Sequence, residues 1–388
     1  MESAVRRRAV LAGLGVALAG CASDSEPSEP TPTPDDEREP LSGSWSMFAY
    51  DTANTGYTSD IDGPYTAVER AWEFETGGSV TASPAIDGNT IYVGSTDGSV
   101  YALDPYNGAE LWSFETDGTV TSTPTIVDES LYIGSGDGYV YALDTADGRE
   151  RWRFDTRSRI GSSPTVHDGL VYIGSVSNTL FALDRMNGDL QWEFETGGSV
   201  LSTPAIVDET VYVGSGDQRV YAISAADGTQ RWSFRTRGTV TGGPTVVDET
   251  VYVGSRDRHV YALGINDGNR RWRFDVRGQV QGSPTVTDET VFVGSNDGYL
   301  YAIERDNNEP SGRWRFQTGG PVTASPAATA TNLFVPSKSG NIFAIVPEDG
   351  AIVWRFDIDA GIQEGPAVSD EWLYFGSDDG VVHAIQST

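Results

Sequence analysis

The sequence contains very little cysteine and histidine, two residue types that often carry chemistry. Its 388 residues include one cysteine, Cys21, and three histidines. A single cysteine excludes an intramolecular disulfide framework. The histidines, His167, His259 and His383, stand far apart in the chain and form no metal-ligand spacing. The sequence therefore predicts no metal site.

Positive charge is scarce, and lysine is almost absent. The chain has 56 acidic and 26 basic residues, which gives a net charge of −30, and Lys338 is its only lysine. This charge argues against nucleic acid as a partner, because binding to phosphates depends on basic residues. An acidic composition with almost no lysine resembles that of proteins from salt-in halophiles, haloarchaea above all, in which salt screens the self-repulsion. We therefore expect a halophilic protein that needs salt to fold.

The apolar run near the start of the chain is too short to cross a membrane. Residues 9–20 are apolar and follow Arg6, Arg7 and Arg8, whereas a spanning helix needs about 20 apolar residues. We interpret residues 1–21 as a signal peptide, and the adjacent arginines resemble a twin-arginine (Tat) export signal. The stretch LAGC resembles a lipobox, which predicts lipid attachment at Cys21. Cleavage without lipidation is the alternative.

Two segments separate the signal peptide from the rest of the chain. Residues 22–40 contain no aromatic residue and are rich in proline, serine and acidic residues. Such a segment cannot bury a core, so we predict a disordered tether. Residues 41–67 form a leader segment.

Residues 68–388 consist of a regular repeat. Eight tryptophans share one register and are evenly spaced, except for a slightly longer step between Trp272 and Trp314. They are Trp72, Trp112, Trp152, Trp192, Trp232, Trp272, Trp314 and Trp354. Each period contains β-rich runs separated by turn pairs such as Asp-Gly, which favour type I′ hairpins with positive φ at both central residues. A four-stranded repeat of about 40 residues predicts a β-propeller.

The two ends of the repeat region indicate how the ring closes. We letter the strands of each blade A to D from the axis outwards, and strand D carries the tryptophan. The Trp72 strand has no A, B or C strand before it, and the last A, B and C strands have no D strand after them. We predict an all-β, eight-bladed propeller of four-stranded antiparallel blades, with the Trp72 strand closing the last blade. The eight A strands are expected near Val80, Val120, Ile160, Val200, Val240, Val280, Val322 and Ile362.

A recurring motif carries a resemblance to a known family. The pattern Ala142-x-Asp144-x3-Gly148-x3-Trp152 resembles the tryptophan-docking motif of the PQQ-like, quinoprotein-type eight-bladed propellers. It recurs with Ala102 to Trp112 and with Ala182 to Trp192, and later copies vary the aspartate. In that family the tryptophan docks against a neighbouring blade, and the resemblance implies the same role for the eight tryptophans here.

The two faces of the predicted ring differ in charge. The A–B and C–D loops share one face, whose A–B loops carry Asp-Glu pairs. The D–A and B–C loops share the other face, where arginines gather on consecutive blades. We interpret Arg219, Arg237, Arg256, Arg258 and Arg277 as a candidate contact patch. The alternative is that these arginines pair with neighbouring carboxylates such as Asp217, Asp257 and Asp275.

The A segments are expected to line the central axis with small side chains. A few polar residues depart from that pattern and could line the mouth of the tunnel. They are Arg159, Gln279, Gln281, Gln363 and Glu364. The repeated Asp-Gly pairs could belong to calcium loops, but turn chemistry explains them better, since each falls at a predicted hairpin. His383 stands where other repeats have tyrosine and is expected to pack in a strand.

The resemblance implies two functions that differ in chemistry. Related propellers are quinone-dependent dehydrogenases that use a vicinal cysteine pair, a calcium site and a catalytic aspartate. This chain has no second cysteine and lacks the long insertions that cover the cofactor in that family. We therefore expect no catalytic residues and no cofactor, with a PQQ-dependent dehydrogenase as the alternative.

The chain also resembles the propeller lipoproteins of the outer-membrane assembly machinery. This resemblance implies a scaffold or ligand-binding module that contacts envelope proteins or a small ligand. We expect a monomeric propeller, exported and held at the outer face of the cytoplasmic membrane by a lipid on Cys21.

Overall fold

The computed structural model describes residues 41, 45–305 and 309–388. In this part of the chain, 32 strands form eight four-stranded antiparallel sheets, and no helix is present. The predicted all-β, eight-bladed propeller is confirmed. Within the same residues, no helix is long and apolar enough to cross a lipid bilayer. The signal peptide, Cys21 and the tether lie outside the described residues.

The strands follow the blades in chain order. Blades 1 to 4 contain β2 (Ala85–Asp87), β3 (Thr90–Gly94), β4 (Ser99–Leu103), β5 (Glu110–Glu115); β6 (Thr125–Val127), β7 (Ser130–Gly134), β8 (Tyr139–Asp144), β9 (Glu150–Asp155); β10 (Thr165–His167), β11 (Leu170–Gly174), β12 (Thr179–Asp184), β13 (Leu190–Glu195); and β14 (Ala205–Val207), β15 (Thr210–Gly214), β16 (Arg219–Ser224), β17 (Gln230–Arg235). Blades 5 to 8 contain β18 (Thr245–Val247), β19 (Thr250–Ser255), β20 (His259–Gly264), β21 (Arg270–Asp275); β22 (Thr285–Val286), β23 (Thr290–Gly294), β24 (Tyr299–Glu304), β25 (Gly312–Gln317); β26 (Ala327–Ala328), β27 (Leu333–Pro336), β28 (Asn341–Ile345), β29 (Ile352–Asp357); and β30 (Ala367–Val368), β31 (Trp372–Gly376), β32 (Val381–Ser387), β1 (Val68–Glu75).

Strand β1 closes the ring. It is the outer strand of the sheet β1-β32-β31-β30, and it pairs antiparallel with β32 so that Glu73 stands opposite His383. The amide of Thr388 donates to the carbonyl of Ala67 at 3.0 Å and extends this pairing to the last residue. The predicted closure by the Trp72 strand is therefore confirmed.

The A strands are shorter than predicted and start later. We expected strand around Val80 and its equivalents, but the first A strand, β2, begins at Ala85, directly after Pro84. Proline supplies no amide hydrogen and restricts the residue before it. The preceding segment bonds sideways instead, as where the amide of Val120 donates to the carbonyl of Ser95 in the preceding blade at 2.9 Å. Near the axis, the segments before the A strands therefore form hydrogen bonds with the neighbouring blade instead of pairing within their own blade.

The Asp137-Gly138 turn is not of type I′. Gly138 has φ of 95°, but Asp137 does not have positive φ, so the prediction of positive φ at both central residues is wrong at this turn. It holds at Asp168-Gly169, where φ is 45° and 78°. The carboxylate of Asp137 explains the difference, because it accepts the Tyr139 amide at 2.9 Å and the Tyr141 hydroxyl at 2.8 Å. These bonds hold an Asx turn, and they occupy both oxygens with protein donors.

The eight tryptophans join each blade to the next. The indole Nε1 of Trp152 donates to the carbonyl of Arg185 at 2.9 Å, and its ring covers Gly188, where a Cβ would lie only 2.6 Å from the Trp152 Cε3. The other seven indoles donate to the carbonyls of Pro105, Thr145, Ala225, Ile265, Arg305, Pro347 and, before β1, Pro64.

The hydrophobic core lies between blades. One cluster joins Tyr212 and Trp232 of blade 4 to Val251 and Val253 of blade 5, and similar clusters link other neighbouring blades. Burial of apolar area therefore couples each wedge to its neighbour rather than stabilising each blade alone.

Candidate functional site

The loops form two faces with different charge, as the sequence indicates. We call the face of the A–B and C–D loops the acidic face. Its A–B turns carry exposed pairs of acidic residues, such as Asp208 with Glu209 and Asp288 with Glu289. We call the opposite face, formed by the D–A and B–C loops, the arginine face.

The five arginines of the candidate patch lie on the arginine face of blades 4, 5 and 6 and the loops between them. Arg237, Arg256, Arg258 and Arg277 are exposed, and Arg219 is half-buried. Two of their side chains donate to neutral groups: Arg219 Nη1 donates to Ser233 Oγ at 3.0 Å, and Arg256 Nη2 donates to Gln281 Oε1 at 2.9 Å. Across the described ranges, none of the five forms an ion pair.

The carboxylates next to the patch are held by other donors. The hydroxyl of Tyr261 donates to Asp257 Oδ2 at 2.7 Å, and the backbone amide of Arg237 donates to the same oxygen at 2.8 Å. Burial raises the pKa of Asp257, but these hydrogen bonds outweigh it and hold the pKa below its usual value. Asp217 accepts the Tyr221 hydroxyl at 2.5 Å. Within the residues described, none of the five arginines pairs with Asp217, Asp257 or Asp275, and Asp275 pairs instead with Arg273 Nε at 3.3 Å.

Arg258 has an unusual backbone for a long side chain. Its φ is 71°, in a turn where the equivalent residue of blade 2, Gly138, is glycine. A non-glycine residue in this region costs free energy, and such conformations gather at functional sites. The same position holds Gln218 in blade 4, with φ of 71°.

A small cavity lies on the axis of the ring. Its volume is about 70 Å³, and its lining includes Phe48, Gln281, Ser283 and Glu364 together with small residues of the A segments. Glycines allow the backbones to meet here, since a Cβ on Gly242 would lie 2.5 Å from the carbonyl oxygen of Gly282. Burial raises the pKa of Glu364 to about 8, although the charge of Lys338 acts in the opposite direction.

The other predicted tunnel residues have different surroundings. Arg159 and Gln279 are exposed on D–A loops and do not line the cavity. Gln363 donates to Asp378 Oδ1 at 2.5 Å. Gln281 connects the cavity to the patch, because it also donates to Asn296 Oδ1 at 2.9 Å while accepting from Arg256.

The leader closes the cavity from the acidic face, a role that the sequence did not reveal. Amides of six A strands donate to leader carbonyls at 2.6–3.0 Å. Asn54 is buried between Thr203 and Pro244, whose carbonyls accept from its Nδ2 at 3.2 and 3.1 Å. The six acceptors are the carbonyls of Trp45, Ser46, Thr52, Ala53, Thr55 and Gly56. Unpaired A-strand edges need such partners, which is the only sequence signal that could have predicted this role.

The histidines do not form a metal centre. Among the residues that the structure describes, no group of three or more histidine, cysteine, aspartate or glutamate residues could hold a metal ion. His383 is buried and stacks on Phe375 with ring centroids 5.0 Å apart, and burial lowers its pKa. It packs in strand β32 as predicted.

Two family profiles match parts of the chain. Residues 170–388 match the family described as "Beta-alanine-activating enzyme, beta-propeller". Residues 66–159 match the family described as "Outer membrane protein assembly factor BamB". No curated protein sequence matches the chain.

Solved propellers share the fold at low sequence identity. BamB from Moraxella catarrhalis is 22% identical with a TM-score of 0.71, and the match covers 82% of this chain and 100% of that one. The quinohemoprotein alcohol dehydrogenase ADHIIG from Pseudomonas putida HK5 is 13% identical with a TM-score of 0.77, over 89% of this chain and 80% of that one. The computationally designed protein Ika8 is 18% identical with a TM-score of 0.74, over 82% and 99%. These matches show a common fold that hosts different functions.

Proposed function

The chain belongs to the family of the beta-alanine-activating enzyme β-propeller, and from this premise we propose that it is a non-catalytic scaffold that binds a partner protein through the arginine patch. The family profile describes a propeller rather than a catalytic domain. A second profile, over residues 66–159, bears the name of an outer membrane protein assembly factor. Both names are compatible with a propeller that functions by binding another protein.

The observation that carries the proposal is that the arginine patch is not neutralised by ion pairs within the described residues. A protein of net charge −30 presents five arginines on one face, and within the described residues none of them is neutralised by a carboxylate. The guanidinium group can hold a carboxylate with two parallel hydrogen bonds, and arginine is enriched at interface centres. The left-handed φ of Arg258 supports a role for its side chain, since glycine would fit the turn at lower cost. The fitting partner is an acidic protein surface.

We place this scaffold outside the cytoplasm. The support is the signal-like sequence of residues 1–21 with its lipobox at Cys21, followed by the proline-rich tether of residues 22–40. A lipid on Cys21 would hold the propeller at the outer face of the cytoplasmic membrane. Partition of the wild type into detergent, and its loss in Cys21→Ser, would support this placement.

The absence of catalysis is part of the proposal, and the dehydrogenase is its alternative. The axial cavity of about 70 Å³ is far below the roughly 300–1,000 Å³ of small-molecule sites. The leader also closes one end of the cavity. Purified protein supplied with PQQ and Ca²⁺ should give neither dye-linked alcohol or sugar oxidation nor a bound-quinone spectrum. Clear turnover would reject the scaffold.

The scaffold is tested by capture of its partner. Crosslinking in native membranes followed by mass spectrometry identifies the main partner. The triple variant Arg237→Glu, Arg256→Glu, Arg258→Glu should then lose at least about tenfold in affinity, because close charge pairs dominate such contacts, while its melting midpoint stays close to that of the wild type.

A charge-matched control distinguishes the patch from net charge. The triple variant Arg149→Glu, Arg153→Glu, Arg270→Glu changes the charge equally at exposed positions away from the patch and should capture the partner normally. Normal capture by the patch variant would refute the patch as the contact surface.

A further inference from the structure

A series of slots lies between neighbouring blades on the acidic face. Each slot is bounded by the A–B turn of one blade and by a residue of the next blade's C–D loop, the residue whose carbonyl accepts the docking tryptophan. Because the repeat is regular, the slots present equivalent positions. The acidic turn residue of four slots is Asp128, Asp208, Asp248 or Asp288, which share one register of the repeat.

In two of these slots the chain fills the space with its own arginine. Arg185 Nη1 of blade 3 forms an ion pair with Asp128 Oδ2 of blade 2 at 2.9 Å. Arg305 of blade 6 forms the equivalent ion pair with Asp248 of blade 5, and its Nη1 donates to the Thr287 carbonyl at 3.1 Å. The Arg305 side chain is only 8% exposed. The slot geometry therefore accepts a guanidinium group beside the turn aspartate.

In two other slots the arginine is replaced and the space is open. Ile265 stands at the arginine position between blades 4 and 5, and Pro347 stands there between blades 6 and 7. A cavity of about 230 Å³ lies at each place, the first bounded by Asp208 and Ile265 and the second by Asp288 and Pro347.

The turn aspartates of the open slots have no partner in the described part of the chain. Each slot also contains an arginine from strand D, but Arg231 donates to Thr210 Oγ1 at 2.7 Å and Arg313 pairs with Glu289 at 2.9 Å. Neither reaches the turn aspartate, so the turn carboxylate of each open slot is uncompensated. Between blades 3 and 4, Ala225 occupies the arginine position, and Asp168 lies 3.4 Å from the Nε2 of the adjacent His167.

We propose that the two open slots each bind the guanidinium group of an arginine presented by a partner polypeptide, in the place that Arg185 and Arg305 take in the filled slots. The turn carboxylate would accept the charged hydrogen bonds, which are the strong ones. A free amino acid fits less well, because its own carboxylate would meet Glu249 or Glu348 at the rim. This site lies on the face opposite the arginine patch and does not depend on it.

The proposal is tested by titrating N-acetyl-arginine amide into the full chain by calorimetry. We expect saturable binding at two sites, with N-acetyl-citrulline amide, which has nearly the same shape but no charge, at least about tenfold weaker. Asp208→Asn with Asp288→Asn should weaken binding by a similar factor. Ile265→Arg with Pro347→Arg should abolish binding, because the chain's own arginines would then fill the slots.

The filled slot of Asp128 supplies a matched control. Asp128→Asn removes a carboxylate that Arg185 already occupies and should leave binding unchanged. If the variant with Asp208→Asn and Asp288→Asn does not fold, loss of binding in the variant with Ile265→Arg and Pro347→Arg is the test of the proposal. Absence of saturable binding, equal binding of the citrulline probe, or undiminished binding by the variants would overturn the proposal. Equally tight binding of free arginine would overturn the assignment to a partner polypeptide.

Discussion

At the scale of single residues, Glu364 is a carboxyl group whose surroundings disfavour its ionised form. It lines a small axial cavity, where burial disfavours the ionised form, so that its pKa is raised to about 8. Equivalent positions carry alanine, serine or glycine. A carboxyl group here makes the free energy of unfolding depend on pH, which alanine, serine or glycine would not do.

We predict that Glu364→Gln stabilises the fold at alkaline pH and has little effect in acid. Because the folded pKa lies above the unfolded one, folding keeps the proton, and wild-type stability falls as the pH rises from about 4.5 towards 8. The variant should unfold with a free energy about 1–3 kcal/mol higher at pH ~8, a value reduced for water in the cavity. Urea unfolding of both proteins at pH ~5 and ~8 measures the difference. A constant difference across this range would contradict the prediction.

At the scale of elements, the contact between a tryptophan and the next blade's glycine joins the blades. Gly148 has φ of 71°, and a Cβ there would lie 2.5 Å from the Trp112 Cε3. Gly169, in an A–B turn, has φ of 78° with nothing within 4 Å of such a Cβ. A comparison of substitutions at Gly148 and Gly169 therefore distinguishes the cost of backbone strain from the cost of losing the tryptophan contact.

We predict that Gly148→Ala is much more destabilising than Gly169→Ala. The second change costs only the left-handed conformation, about 1 kcal/mol. The first also displaces an indole ring from its blade contact, and we expect a total of about 3 kcal/mol or more. Thermal or urea unfolding of the two variants gives the comparison. Similar losses in both would mean that the tryptophan contact contributes little.

At the scale of the whole molecule, net charge opposes the compact ring. The chain carries −30, and exposed acidic pairs such as Asp208 with Glu209 crowd one face. Self-repulsion of this kind destabilises a folded protein when it is unscreened. The ion pairs that the structure contains are mostly exposed, as where Arg149 meets Asp147 at 3.3 Å, and each contributes little.

We predict that the melting midpoint rises strongly between about 0.1 M and 3 M KCl. The Debye length falls from about 10 Å to below about 3 Å over this interval, which removes most of the repulsion between acidic side chains. Calorimetry across a KCl series tests this expectation. A cooperative transition at the same temperature throughout would count against a halophilic protein.

The repeat itself allowed most of the fold to be predicted. The evenly spaced tryptophans determine the number of blades, and the unmatched Trp72 strand determines how the ring closes, because both depend on counting units along the chain. The start of the A strands and the type of the Asp137-Gly138 turn were not predicted correctly. They depend on Pro84 and on the hydrogen bonds of the Asp137 carboxylate, which compete with local propensity.

The sequence by itself thus determined an eight-bladed ring, its tryptophan contacts and the gathering of arginines on one face. Only the tertiary structure decided which charges remain unpaired and where the leader runs. Asp128 and Asp208 stand in equivalent turns, yet only Asp128 is paired, because the residue 57 positions further along the chain is Arg185 for Asp128 and Ile265 for Asp208. Pairing across blades depends on the identity of two residues that are distant in sequence and adjacent only after the ring has closed.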